Sequence, residues 1–169
     1  MGGTDTPKVE VANREDIARY VEMAQAAQAF IRSKGLAQWV PAAHPAFLPN
    51  IAAKVERRSL HKCSHRNGTI AFFDFSFDPS PWWSGRAGLA GYISGIVVAR
   101  PSTGRGVGTL ILQWAEETAR DGGAQYLRLD CHAENRWLCD YYRSKGFTEL
   151  VRVEQYPGYI GALYQKVVN

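Results

Sequence analysis

Between Gly91 and Leu112 the chain reads GYISGIVVARPSTGRGVGTLIL, an apolar run, then Gly104, Gly106 and Gly108 at alternate positions, then helical periodicity. Glycine lacks a Cβ, so an anionic group can approach the main chain, and left-handed backbone is open wherever amides must converge. The first turn of the following helix adds N–H groups without intrahelical partners and the positive end of a helix dipole. The amides of Gly104, Arg105, Gly106, Val107, Gly108 and Thr109 are therefore predicted to cradle a phosphate. A dinucleotide fingerprint would need glycine where Thr109 stands, with an acidic residue on the next strand, for which Asp130 is suitably placed. A Walker loop would need Gly-Lys-Ser/Thr after four spacers, and no such run exists. What remains is Gly-x-Gly-x-Gly after Ile96-Val97-Val98.

A second set of reactive side chains follows the cradle. Asp130, His132 and Glu134 lie at the end of an expected strand, and Asn135 precedes an aromatic helix carrying Tyr141 and Tyr142. Asp74 and Asp78 alternate with phenylalanines on an earlier strand. Any of these carboxylates, or His132 with its ordinary pKa near neutrality, could serve as a base, and the choice stays open. Cys131 and Cys139 are read as buried thiols rather than as nucleophiles.

The segment Val98 to Leu110, VARPSTGRGVGTL, resembles the pyrophosphate-binding motif of the GNAT superfamily, the acetyl-coenzyme A dependent N-acetyltransferases. Asn135-Arg136-Trp137-Leu138 followed by Tyr141-Tyr142-Arg143-Ser144-Lys145-Gly146-Phe147 resembles that family's second motif. The resemblance implies a mixed α/β fold, a twisted central sheet of six to seven strands, split near its middle for the coenzyme and flanked by about four helices. It implies acetyl transfer to a primary amine of a small molecule or protein by direct transfer in a ternary complex. By the same resemblance the main chain at Ile96, Val97 and Val98 pairs with the pantetheine arm, Tyr142 faces the coenzyme sulfur and protonates the thiolate, and Asn135 holds the coenzyme or caps the helix carrying Tyr142. Thr103 stands where the family usually carries Arg or Gln, with Arg105 or Arg100 to supply charge. Two readings of other classes stay alongside, a non-catalytic acyl-coenzyme A sensor and a nucleotide-binding regulatory domain.

The elements that must position these residues follow from periodicity. Lys8 to Ala12 alternates as a first strand, Asn13 offers an N-cap, and Ile17, Tyr20, Val21, Ala24, Ala27, Phe30 and Ile31 predict an amphipathic helix to Ser33, stopped by Lys34-Gly35. Pro41, Pro45 and Pro49 argue against regular helix until after Pro49, where Ile51, Ala52, Val55 and Leu60 suggest a second one. The intervening stretch, with Trp39, His44 and Phe47, is a candidate acceptor-site lid or a surface loop. Leu60 to His65, Asn67-Gly68 and Thr69 to Asp78 predict a hairpin, with Phe73, Phe75 and Phe77 on a core face and Phe72, Asp74, Ser76 and Asp78 on a solvated one. Trp82 and Trp83 sit in a Pro/Gly-rich loop and could line a substrate mouth, cover a sheet edge or meet a second copy. The central strand is expected over Ala90 to Ala99, a helix to about Asp121, a strand over Tyr126 to Cys131, a helix from about Asn135 to Lys145, and strands over Phe147 to Val153 and Ile160 to Val168.

The bulk properties fit this picture. The 169 residues suit one domain with a flexible start at 1–7, and 46% hydrophobic with 21% charged residues is an ordinary globular composition. A net charge of +4 with scattered Lys and Arg suits an anionic cofactor and argues against nucleic acid as partner. Three cysteines without CxxC spacing argue against a zinc site or disulfide framework, and a reducing cytoplasm is the simplest compartment. No apolar run is long enough to span a membrane, and the tryptophans leave a homodimer open.

Overall fold

The computed structural model describes residues 6–36, 44–66 and 68–168. Trp39, Pro41, Asn67 and residues 1–5 of the expected flexible start lie outside them. The chain folds as two compact units, one running to Asp74 and including Gly95–Ile111, the other made of Phe75–Ser94 and the residues from Leu112 on.

The first unit opens with β1 (Lys8–Val11), a short 3-10 turn (Arg14–Asp16) and α1 (Ile17–Ser33). The Asn13 side chain accepts from the Glu15 amide at 2.9 Å, while the Asp16 carboxylate accepts from the Asn13 amide at 2.9 Å, a reciprocal capping box that starts the helical run. Tyr20, Met23 and Ala24 face inward at helical spacing, and the Tyr20 ring meets Phe72 edge-on at 5.4 Å. Gly35, at φ +78°, ends the helix as expected. The next helix, α2 (Phe47–Glu56), begins earlier than the prolines suggested. Pro49 falls in its first turn, where the N–H that proline lacks would have no intrahelical acceptor, so the ring costs the helix nothing there. Leu60 is not part of that helix but opens β2 (Leu60–His65), which pairs antiparallel with β1 and with β3 (Gly68–Ser76).

The apolar core of this unit joins Tyr20, Met23, Phe47, Ile51, Leu60, Phe72 and Val97. Fully burying a side chain such as Phe72 is worth about 2–3 kcal/mol. Both faces of β3 are therefore core. Phe72 is as buried as Phe73, and Phe77, beyond the strand, is exposed. Asp74 is not on a solvated face: Ser59 Oγ donates to Oδ1 at 2.5 Å, and Lys54 Nζ lies 3.4 Å from Oδ2.

The second unit contains most of β4 (Ala90–Val98), most of α3 (Val107–Asp121), β5 (Tyr126–His132), α4 (Arg136–Ser144), β6 (Thr148–Tyr156) and β7 (Tyr159–Val167). Here Phe75 meets Trp114 of α3 edge-on at 5.5 Å. Trp83 is buried in a 3-10 turn (Pro81–Trp83), while Trp82 is half-buried against Tyr156 at 5.8 Å. The strand β5 lies between β4 and β7 in the sheet, and most of its side chains are buried, Arg128 included.

The seven strands run in the order β1-β2-β3-β4-β5-β7-β6 in one mixed sheet. The β4–β5 pair is parallel, and its register stops at Tyr92↔Arg128 although both strands continue. With four α-helices this is the mixed α/β fold the sequence implied. Among the described residues no helix is long and apolar enough to cross a membrane.

Candidate functional site

The cradle belongs to the first unit. After β4 the chain makes a 3-10 turn (Arg100–Ser102), with the Ser102 amide donating to Ala99 O at 2.8 Å and the Thr103 amide to Arg100 O at 3.2 Å. Gly104 and Gly106 then adopt φ of +75° and +81°. A Cβ built on either would meet nothing within 4 Å, so glycine is required by the backbone conformation and the space above it is open. Helix α3 begins at Val107, and its first closing bond runs from the Leu110 amide to Gly106 O at 3.0 Å. Among the described residues the amides of Gly104, Arg105, Gly106, Val107 and Gly108 donate to no carbonyl. Five backbone donors at an N-terminal helix end, over open space, fit a pyrophosphate.

The side chains around the cradle are arranged as follows. Thr103 is exposed and its Oγ1 donates to Ala99 O at 3.4 Å. Arg105 is exposed, whereas Arg100 lies over the Phe30 ring with its Cζ 3.7 Å from the centroid. Val107 is buried and Thr109 half-buried. Of the three strand residues, Val97 is buried in the first unit's core, and Ile96 and Val98 are half-buried.

Asn135 and Tyr142 belong to the second unit. The Asn135 Oδ1 accepts from the Leu138 amide at 3.2 Å, so Asn135 caps α4. Tyr142 is buried on the inner side of α4, its ring tilted against Phe147 and Tyr164, each 6.0 Å away. Tyr141 instead stacks on the exposed Trp137 at 5.7 Å. The Tyr142 hydroxyl makes no hydrogen bond among the described residues. Burial first, then the neighbouring Cys131, Tyr141 and Asp130, holds its pKa above the ordinary phenol range.

Beside it on β5, Asp130 Oδ2 accepts from Gln155 Nε2 at 3.0 Å and has no cationic partner among the described residues. Burial raises the carboxyl pKa and the Gln155 bond lowers it in part. Gly161 makes this contact possible, because a Cβ there would lie 2.5 Å from Gln155 Cδ. His132 lies where the strand pattern placed it. It ends β5, is buried, stands 4.4 Å from the Tyr159 ring, and its Nδ1 accepts from the Glu134 amide at 3.1 Å, which leaves the ring proton on Nε2 when the ring is neutral. Cys131 and Cys139 are buried with their sulfurs 3.7 Å apart. Gln155 and Tyr159 carried no signal in the sequence, since they meet Asp130 and His132 only through strand pairing.

The sequence pattern of the Acetyltransferase (GNAT) family matches residues 31–147, and the chain belongs to that family. Its fold is the GNAT fold. An acetyltransferase of the family from Listeria monocytogenes superposes with a TM-score of 0.78 at 22% identity, covering 95% of this chain and 94% of that one. One from Streptococcus agalactiae gives 0.80 at 16%, covering 95% of each chain. The Salmonella typhimurium protein yncA, whose structure contains its cofactor acetyl-CoA, gives 0.68 at 16%, covering 96% and 94%. No curated protein sequence matches the chain.

Proposed function

We propose that this acetyltransferase moves an acetyl group from acetyl-CoA to a primary amine of a small molecule or protein, by direct transfer in a ternary complex. The observation that carries the reading is the Tyr142 hydroxyl, positioned by ring packing against Phe147 and Tyr164 and without a hydrogen-bond acceptor among the described residues, so that its proton is available to a departing sulfur.

The five free amides and the helix end from Gly104 to Thr109 bind the pyrophosphate, and the main chain at Ile96 to Val98 orients the arm, which lowers the entropic part of the barrier. Acetyl-CoA itself supplies the thioester and the acyl group. An alkylammonium with a pKa of about 10.4 is neutral roughly once in a thousand near neutral pH, so a proton acceptor offsets about 4 kcal/mol. Asp130 is the group suited to it, a half-buried carboxylate with one amide partner and a raised pKa. Asp130 takes one proton from the ammonium, the neutral nitrogen bonds to the acyl carbon as the carbon–sulfur bond breaks, Tyr142 protonates the departing sulfur, and the second proton lost from nitrogen restores the Tyr142 phenol. Asp74 is unsuited to the same task because Lys54 and Ser59 already occupy its oxygens. In Asp130→Asn the acidic limb of the rate profile should disappear, and an unchanged limb would remove Asp130 from the mechanism.

Calorimetric titration with acetyl-CoA, with NAD and ATP as controls, tests the reading. Micromolar binding of acetyl-CoA alone is expected. Equal binding of NAD or ATP would favour a nucleotide-binding domain, and tight acetyl-CoA binding without thiol release for any amine in a broad panel would favour a non-catalytic sensor.

A further inference from the structure

The second unit holds a buried cation with no counter-charge. Arg128 is 2% exposed, and a guanidinium cannot shed its proton in a protein. Its Nε donates to Gln165 Oε1 at 2.8 Å, Nη1 to the Tyr92 hydroxyl at 3.1 Å and Nη2 to Ala87 O at 2.6 Å. All three acceptors are neutral, and no carboxylate lies within ion-pair distance among the described residues. The rings of Tyr126 and Trp83, 5.2 and 5.3 Å from Cζ, offset only part of the cost of burying the charge. One N–H on each terminal nitrogen has no acceptor among the described residues.

Arg128 lines a cleft of about 570 Å³. The same wall carries Arg86, which is exposed, with Ser84 and Gly85, and among the described residues the lining contains no acidic one. Trp82 and Leu150 complete the described lining, whose open surface is mostly polar. The cleft stands at the start of β5, whereas Asp130 and His132 lie towards that strand's end. We propose that this cleft is a second ligand site, separate from the acetyl-transfer residues of the unit, that takes a small organic carboxylate. The two N–H groups of Arg128 without acceptors, one on each terminal nitrogen and in the guanidinium plane, receive the two coplanar oxygens of a carboxylate, and Arg86 supplies further positive charge.

The test is an amide-resolved NMR titration of the full chain with malonate, at ionic strength held constant with sodium chloride, and in parallel with inorganic phosphate. Saturable shifts at Ser84, Gly85, Ala87 and the Trp82 indole are expected, with affinity falling roughly fivefold in Arg86→Gln, an exposed position where the fold is not at stake. Shifts that never saturate, that are confined to Gly104–Thr109, or that are untouched by Arg86→Gln in a folded sample would overturn the site. Tighter binding of phosphate than of malonate would overturn the carboxylate assignment. Because the readout is local binding rather than turnover, failure of the acetyl-transfer reading leaves it unaffected.

Discussion

Tyr142→Phe separates a catalytic from a structural tyrosine, because the structure assigns its ring and its hydroxyl different work. The ring contributes packing against Phe147 and Tyr164, which phenylalanine keeps. The hydroxyl makes no internal hydrogen bond, so its removal leaves no orphaned partner, and the change in stability should stay within about 0.5 kcal/mol. A positioned general acid is worth about 10²–10⁴ in rate, which corresponds to a barrier increase of roughly 3–5 kcal/mol. The expected result is therefore a large fall in kcat, measured as thiol released with a responsive amine, with an acetyl-CoA Kd from calorimetry within about twofold of the parent and a nearly unchanged Tm. Unaltered kcat would refute the assignment outright. A Tm lowered in step with the activity would show that the hydroxyl holds the fold and that no acid role is needed.

Other perturbations address the remaining elements. Gly106→Glu forces a side chain into a backbone at φ +81° and puts a carboxylate at the cradle, so acetyl-CoA binding should vanish in calorimetry, and full activity would sink the cradle. Asn135→Ala removes the cap on the Leu138 amide and should cost about 1 kcal/mol in a denaturant titration, with no loss at all pointing to a cap that does not stabilise α4. Glu149 is held at about 2 by Arg152, Tyr164 and Arg143, against an ordinary 4.5. Its folded pKa is depressed, so its contribution is complete above pH 4.5 and is lost as pH falls towards 2. Discounted for its half-exposed arginine partners, that contribution is about 1–2 kcal/mol, and Glu149→Gln should flatten the stability profile in that window when unfolding is followed by circular dichroism.

The parts of this protein that the sequence determined by itself are those settled within a few residues of chain. The Asn13 box, the stop at Gly35, the left-handed glycines of the cradle and the Asn135 cap are backbone chemistry between near neighbours, and alternation or helical spacing located every strand and helix to within a few residues. Even the error at Pro49 was local, a matter of where in the first turn a missing N–H is harmless. Tertiary structure decided what surrounds each reactive group. Asp74 looked like a carboxylate on a solvated face until α2 and the residue before β2 brought Lys54 and Ser59 to it, and nothing in the spacing told that Tyr159 would stand against His132. Asp130 acquires its partner from Gln155, 25 positions along the chain, only because Gly161 leaves room between them. The burial of Arg128 without a counter-ion follows from partners remote in sequence, Tyr92, Ala87 and Gln165. Desolvation and charge pairing depend on neighbours in space, and spacing along the chain does not encode them.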